Sequence, residues 1–533
     1  MRRAINRLIR LACLVAVVLA LHAPVVAQGG GPYQLYMPLV LDKVDLPQPS
    51  ILALNNAPTS CDYIIRWQTL SNYYDSYEVQ RSQDADFGNS VTVCITTAGE
   101  CTVPAELDGT WYFRVSGRIA SQPSNVWSST YTATLRTGML VYNENTTQLW
   151  NMPRVGAPSG WSCISAGRGV TVAVLDTGIY TQHPDLVPNL LAGYNFVDGN
   201  TIVDDLNGHG THVSGIIAAA INNGGVVGVA PRVSLLPVKV CGSNCPWDAV
   251  AAGIRYAVDH GARVINLSLA GTTPSDTLYE AISYAYSHNV VLIAAAGNYD
   301  NDTVRYPAAY TETLSVAATD INDLRATWSS YGPNTDLAAP GVNISSTVPN
   351  SPYYALKLGT SMAAPHVAGA AAILISAQPS LTAVQARNLI TSTARDLVYS
   401  GNPSYGAGWD PYTGWGRLDV TAALARLPLA AVASDDPPLS AEAWSSAASP
   451  HPTSYVAGEV LYALVKEPGL TPQAAPLAPL ALARAGIRSR RVAAGMPVWV
   501  AEVPRGQEKA WVERLRNDPR VAYAELNGFL ELQ

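Results

Sequence analysis

Between Gly138 and Leu427 the chain alternates short apolar runs with longer stretches of helical character. The runs Val170–Leu175, Val264–Leu267 and Val290–Ala295 are rich in β-branched residues and carry almost no polar alternation. A strand that is apolar on both sides must be covered on both sides. Strands separated by helices build crossover units and a parallel sheet. Residues 138–427 are therefore expected to form an α/β domain, a parallel sheet flanked by helices. In such sheets functional groups gather beyond the carboxyl ends of the strands.

The flanks follow other rules. From Gln48 to Arg136 large apolar residues recur at every second position, as in Tyr63–Trp67, Tyr77–Arg81 and Trp111–Val115. That period predicts an all-β sandwich with one buried face per strand. Its Trp67, Tyr77–Arg81 and Phe113–Val115 segments resemble a fibronectin type III domain. Residues 428–457, rich in Ala, Ser and Pro with Asp435 and Asp436, read as a linker. Beyond it, Glu459–Val465, Met496–Val503 and Val521–Ala524 read as strands. Gln507–Asn517 reads as a helix with Trp511 and Leu515 on one face. Residues 458–533 are thus expected to form a small α+β, ferredoxin-like unit.

At 533 residues the chain exceeds one compact core, consistent with these parts. A net charge of −7 without any basic stripe past the first residues excludes a nucleic-acid binder. Arg2, Arg3, Arg7 and Arg10 precede the apolar run Leu11–Leu21, and Val25–Ala27 supplies small residues before Gln28. This is the order of a secretory signal over residues 1–27, cut after Ala27. The run is short for a membrane span, so a secreted, extracellular protein is expected. Six cysteines follow, an even number that fits disulfides in an exported chain. Cys94–Cys101 and Cys241–Cys245 are the expected local pairs; half a metal site at Cys241–Cys245 is the weaker reading, since no His or second Cys pair accompanies it.

Four segments carry chemistry. Asp176 ends the first apolar run and is followed by Thr177-Gly178, where glycine allows a sharp turn. His209 stands in Asn207-Gly-His-Gly-Thr-His-Val213, and imidazole is the side chain best matched to proton transfer near neutral pH. His212 could make a metal pair with it. The spacing and the missing Glu argue against a zinc-protease pattern, so His212 is assigned to structure. Ser361 lies in Gly359-Thr-Ser-Met-Ala-Ala-Pro-His366, where a helix N-terminus would favour a developing oxyanion. His366 is expected to be a buried core residue. Asn298, after Ala294–Gly297, offers a side-chain amide to the same oxyanion.

In their order along the chain, Asp176, His209, Asn298 and Ser361 resemble the subtilisin-like serine proteases. That family's Asp, His, Ser order is a standard example of the catalytic triad. The resemblance implies a serine endopeptidase acting on proteins or peptides through an acyl-enzyme, with no cofactor required. It implies that Ser268, Leu269, Ala270 and Gly271 form one edge of the peptide cleft by strand addition. Ala295, Ala296 and Gly297 would wall the primary pocket. Arg305 replaces a small residue at the base of that pocket, so the pocket is narrowed or accepts Glu or Asp. Relatives in that family often hold a structural calcium near positions matching Asp185 and Asn223, and oxygen ligands are plausible there, but the Asn222–Gly225 loop looks about one residue short and no metal is assigned. The C-terminal unit resembles the family's inhibitory propeptide moved to the other end of the chain, an intramolecular inhibitor with its tail in the cleft. The rival expectation is a silent binding or adhesion protein on the same fold.

Overall fold

The computed structural model describes residues 48–49, 51–56, 63–103, 109–119, 122–135, 149–161, 166–221, 225–399, 405–427, 452–465, 479–493 and 496–533. The expected signal (1–27), most of the linker, Cys61, Cys163 and Asn222–Asn223 lie outside them.

Two antiparallel sheets form the N-terminal sandwich. One runs Ile51–Asn56, Tyr63–Trp67, Glu100–Val103. The other runs Val91–Thr96, Ser76–Ser82, Gly109–Ile119, Gln122–Trp127, with Tyr131–Leu135 on the first half of the long third strand. Alternate residues Tyr77 and Val79, and Phe113 and Val115, meet Ile65 and Trp67 between the sheets. The disulfide Cys94–Cys101 ties one sheet to the other.

The central sheet has seven parallel strands in the order Tyr194–Asn195, Ser234–Lys239, Thr171–Asp176, Ala262–Leu267, Val291–Ala295, Thr313–Thr319, Leu337–Pro340. Its strands are apolar on both faces because each face has its own core. Val172 and Val174 pack with the helices His209–Ala218 and Thr360–Ala377. Ala173 and Leu175, on the same strand, pack with Trp247–Asp259 and Asp276–Ser287. Thr360–Ala377 is the one helix among the described residues long and apolar enough to cross a bilayer, and 89% of it is buried in this core.

The C-terminal unit runs strand, helix, strand, strand, helix, strand: Tyr455–Leu464, Leu480–Ala485, Ser489–Arg491, Val498–Glu502, Glu508–Arg516, Val521–Leu532. Its antiparallel sheet has the order last, first, third, second, the ferredoxin-like arrangement. One sheet face packs on its own helices through Val460, Tyr462, Trp511 and Leu515. The opposite face, through Leu461, Val498 and Val500, joins the core built on Trp247, Ile254 and Leu278. The last strand departs from expectation. It continues past Ala524 to Leu532, because its second half pairs with strands outside its own unit, which no local pattern reveals.

Candidate active site

Asp176 is the last residue of its strand and fully buried. Its Oδ1 accepts the backbone N–H of Thr177 at 2.7 Å and the Nδ1–H of His209 at 2.8 Å; its Oδ2 lies 3.0 Å from the same nitrogen. A buried carboxylate can only accept, so it fixes the tautomer with the proton on Nδ1 and leaves Nε2 as a base. The turn that permits this is made by Gly178, whose φ is +109° and where a Cβ would stand 2.2 Å from the carbonyl oxygen of Val203.

His209 opens the helix His209–Ala218, and that helix start is held by a residue the sequence reading missed. The buried Asp205 accepts from Thr177 Oγ1 (2.8 Å), the N–H groups of Asn207 (2.9 Å) and Gly208 (2.8 Å), and both N–H and Oγ1 of Thr211 (2.9 and 2.7 Å). Lys357 Nζ donates to the Gly208 carbonyl at 2.8 Å. An acidic residue four positions before His209 was the only available signal. His212 binds the Ala355 carbonyl through Nε2, and burial pushes it down to about 3. His366 lies between Met362 O and Asn151 Nδ2, pushed by burial down to about 4. Both are neutral core groups.

Ser361 is the second residue of Thr360–Ala377 and fully buried. Its hydroxyl donates to Ser268 O at 3.0 Å, and no hydrogen bond joins it to His209, whose buried Nε2 has no partner. The reason lies in the cleft. The tail Phe529–Gln533 fills it, pairing antiparallel with Leu269–Ala270 on one side and with Cys245–Pro246 on the other. The second edge was not foreseen; the disulfide Cys241–Cys245 that shapes it was. Gln533 N–H donates to Ser361 Oγ at 3.0 Å, and Gln533 O accepts the Ser361 N–H at 3.0 Å.

Asn298 Oδ1 accepts from both N–H and Oγ1 of Thr360 at 2.9 Å, which turns its amide nitrogen to the opposite side. That nitrogen and Gln533 O lie 3.3 and 2.9 Å from where a Cβ of Gly359 would stand. Glycine is required there by this crowding and by a φ of +146°. The main-chain oxygen of Gln533 thus sits beside a helix N-terminus, a backbone donor and a side-chain amide. This is the surrounding that stabilises negative charge on such an oxygen.

At the pocket wall, Ala295 ends its strand and Gly297 N–H donates to Thr360 Oγ1 at 3.1 Å. Arg305 is buried against Gly297, where a Cβ would stand 2.5 Å from Arg305 Cδ. Gly271 exchanges two 2.8 Å hydrogen bonds with Tyr306. Asp185 Oδ1 accepts from Tyr354 Oη (2.9 Å) and Oδ2 from Val226 N–H (3.0 Å), so both oxygens face donors. No cluster of three metal-ligating side chains occurs among the described residues.

Comparison with known proteins bears on the domain that holds these residues. The model of the subtilase family matches residues 167–416. Subtilisin Savinase from Lederbergia lenta is 47% identical over 261 residues, 49% of this chain and 95% of its own length. Thermitase from Thermoactinomyces vulgaris is 44% identical over 257 residues, 48% of this chain and 90% of its own length. Alkaline elastase YaB from a Bacillus strain is 44% identical over 262 residues, covering 49% and 68%.

Proposed function

Because this chain belongs to the subtilase family and is a serine-type endopeptidase, we propose that Ser361 is its nucleophile, His209 its general base and Asp176 the acid that orients the imidazole. With the tail out of the cleft, the Ser361 hydroxyl turns from Ser268 O to His209 Nε2. It then attacks a peptide carbonyl as Nε2 takes its proton. Asp176 stabilises the imidazolium so formed. The Ser361 N–H and the Asn298 amide hold the oxyanion. His209 returns the proton to the leaving amine, and water hydrolyses the acyl-enzyme by the same route. These steps draw on side chains, one backbone N–H and water.

The observation that carries this reading is the Ser361 N–H bound at 3.0 Å to the main-chain oxygen of Gln533 in the cleft, beside Asn298. Substrate would enter as Phe529–Gln533 does, between Ser268–Gly271 and Cys245–Pro246, with Ala295, Ala296 and Gly297 lining the primary pocket. Arg305 narrows that pocket. Residues 458–533 act as an intramolecular inhibitor, since substrate and tail compete for the same edges. Export follows from the leader pattern of residues 1–27. The test is hydrolysis of an unfolded protein by the full chain and by Ser361→Ala, read by mass spectrometry. Fragments are expected only with Ser361 present; identical fragments from both would overturn the assignment.

A further inference from the structure

We infer that Tyr299 and Arg305 form a subsite that selects an acidic side chain two residues before the residue bound at Ser361. The inference rests on the cleft being the substrate site as proposed above. In that cleft Gln533 meets Ser361, and Glu531 pairs with Ala270. The Glu531 carboxylate then reaches across to Tyr299, whose hydroxyl donates to Oε2 at 2.8 Å. Tyr299 directly follows Asn298, so its position is tied to that of the oxyanion donor.

Behind the tyrosine stands Arg305. Its guanidinium carbon is 4.2 Å from the Tyr299 ring centre, its Nη1 donates to Thr303 O at 2.7 Å, and its buried Nε has no partner. Among the described residues no carboxylate forms an ion pair with it, so its charge is left to act on the mouth of the cleft. The cation over the ring face also favours phenol donation to an anion. Asp300, the neighbouring acid, is occupied by Arg325 at 2.9 Å.

Selection is displaced from the primary pocket for a steric reason. Arg305 Cδ and Nε fill the space beside Gly297. The Gln533 side chain accordingly folds back, its Nε2 donating to Glu531 O at 3.2 Å. With little depth available at the first position, discrimination falls on the third, where a hydroxyl and a nearby cation await a carboxylate.

Two peptides ending in Gln at the cut and differing only by Glu or Gln two residues earlier should be offered together to the full chain. Tail occupancy scales both rates equally and cancels in their ratio. The expected preference for Glu is about fivefold, the worth of one exposed hydrogen bond to a charge. It should fall towards unity in Tyr299→Phe and in Arg305→Met. A ratio near one in the wild type, or one unchanged by Tyr299→Phe, overturns the subsite. An independent arm uses Ser361→Ala. Hydrogen exchange at residues 529–533 should quicken severalfold when Glu531→Gln is added, and unchanged exchange overturns the subsite. Hydrolysis of neither peptide, even by a chain lacking residues 529–533, would sink the nucleophile assignment instead, and the exchange arm would still judge Tyr299 and Arg305.

Discussion

Five donors converge on Asp205, and through them the turn before His209 and the first turn of its helix are locked together. This carboxylate touches no substrate; it positions the imidazole by fixing the backbone that carries it. Asp205→Ala should lower melting stability by about 2 kcal/mol, as expected when buried donors lose a charged acceptor. It should also cut kcat roughly tenfold with KM little changed, and Asp205→Asn should recover part of both. Loss of stability with kcat intact would contradict a positioning role. Asn298 makes a different prediction, since its amide is proposed to hold the oxyanion. Asn298→Ala should reduce kcat by ~10²–10³ at nearly constant KM. An effect confined to KM would place the amide outside the oxyanion site. The four catalytic candidates were legible because their motifs are local. Asp205 was not, because its partners are assembled only by the fold.

The strand Val521–Leu532 belongs to two structures at once. Its first half completes the C-terminal sheet on Tyr455–Leu464; its second half lies in the cleft. Between them, two side chains cap protease helices. Asn527 accepts from Asp248 N–H at 3.3 Å at the start of Trp247–Asp259. Glu525 accepts from Ser275 Oγ (2.8 Å), Asp276 N–H (3.1 Å) and Thr277 N–H (3.0 Å) at the start of Asp276–Ser287. Burial pushes Glu525 from 4.5 up to about 7 and the nearby Asp276 adds to this, while the donors from Ser275 and Thr277 pull the other way and lose. A group whose docked value is raised favours the docked state when protonated. Docking should be strongest near pH 4.5 and below, and weaken as pH rises towards 7. Peptide hydrolysis by the full chain, normalised to a chain lacking residues 529–533, should therefore rise across that window. Glu525→Gln should flatten the rise, and a rise that persists in Glu525→Gln would reject this group as its source. The strand's second half escaped the sequence reading for the same reason that makes it informative: its partners, Leu269–Ala270 and Cys245–Pro246, are far away in the chain.

At the scale of the whole molecule, the C-terminal sheet is a layer between two cores. Its Val460 face is covered by its own helices, and its Leu461, Val498 and Val500 face by protease helices. Removing residues 458–533 uncovers Trp247 and its neighbours, apolar groups that are buried in the intact chain. The shortened chain should fold in lower yield and hydrolyse peptides faster per folded molecule. Unchanged yield together with unchanged activity would refute both the inhibitor and the folding role. The division into sandwich, α/β domain and small α+β unit could be read from the period of apolar residues. How the third part seats on the second could not, because that depends on complementary faces that no single segment displays. The most direct measurement is the rate at which a serine-reactive fluorophosphonate labels each chain, with the adduct mapped by peptide mass spectrometry. The account predicts an adduct on Ser361 that forms fast in a chain lacking residues 529–533 and slowly in the full chain. Equal rates in the two chains, or no adduct on Ser361 once the tail is gone, would contradict it.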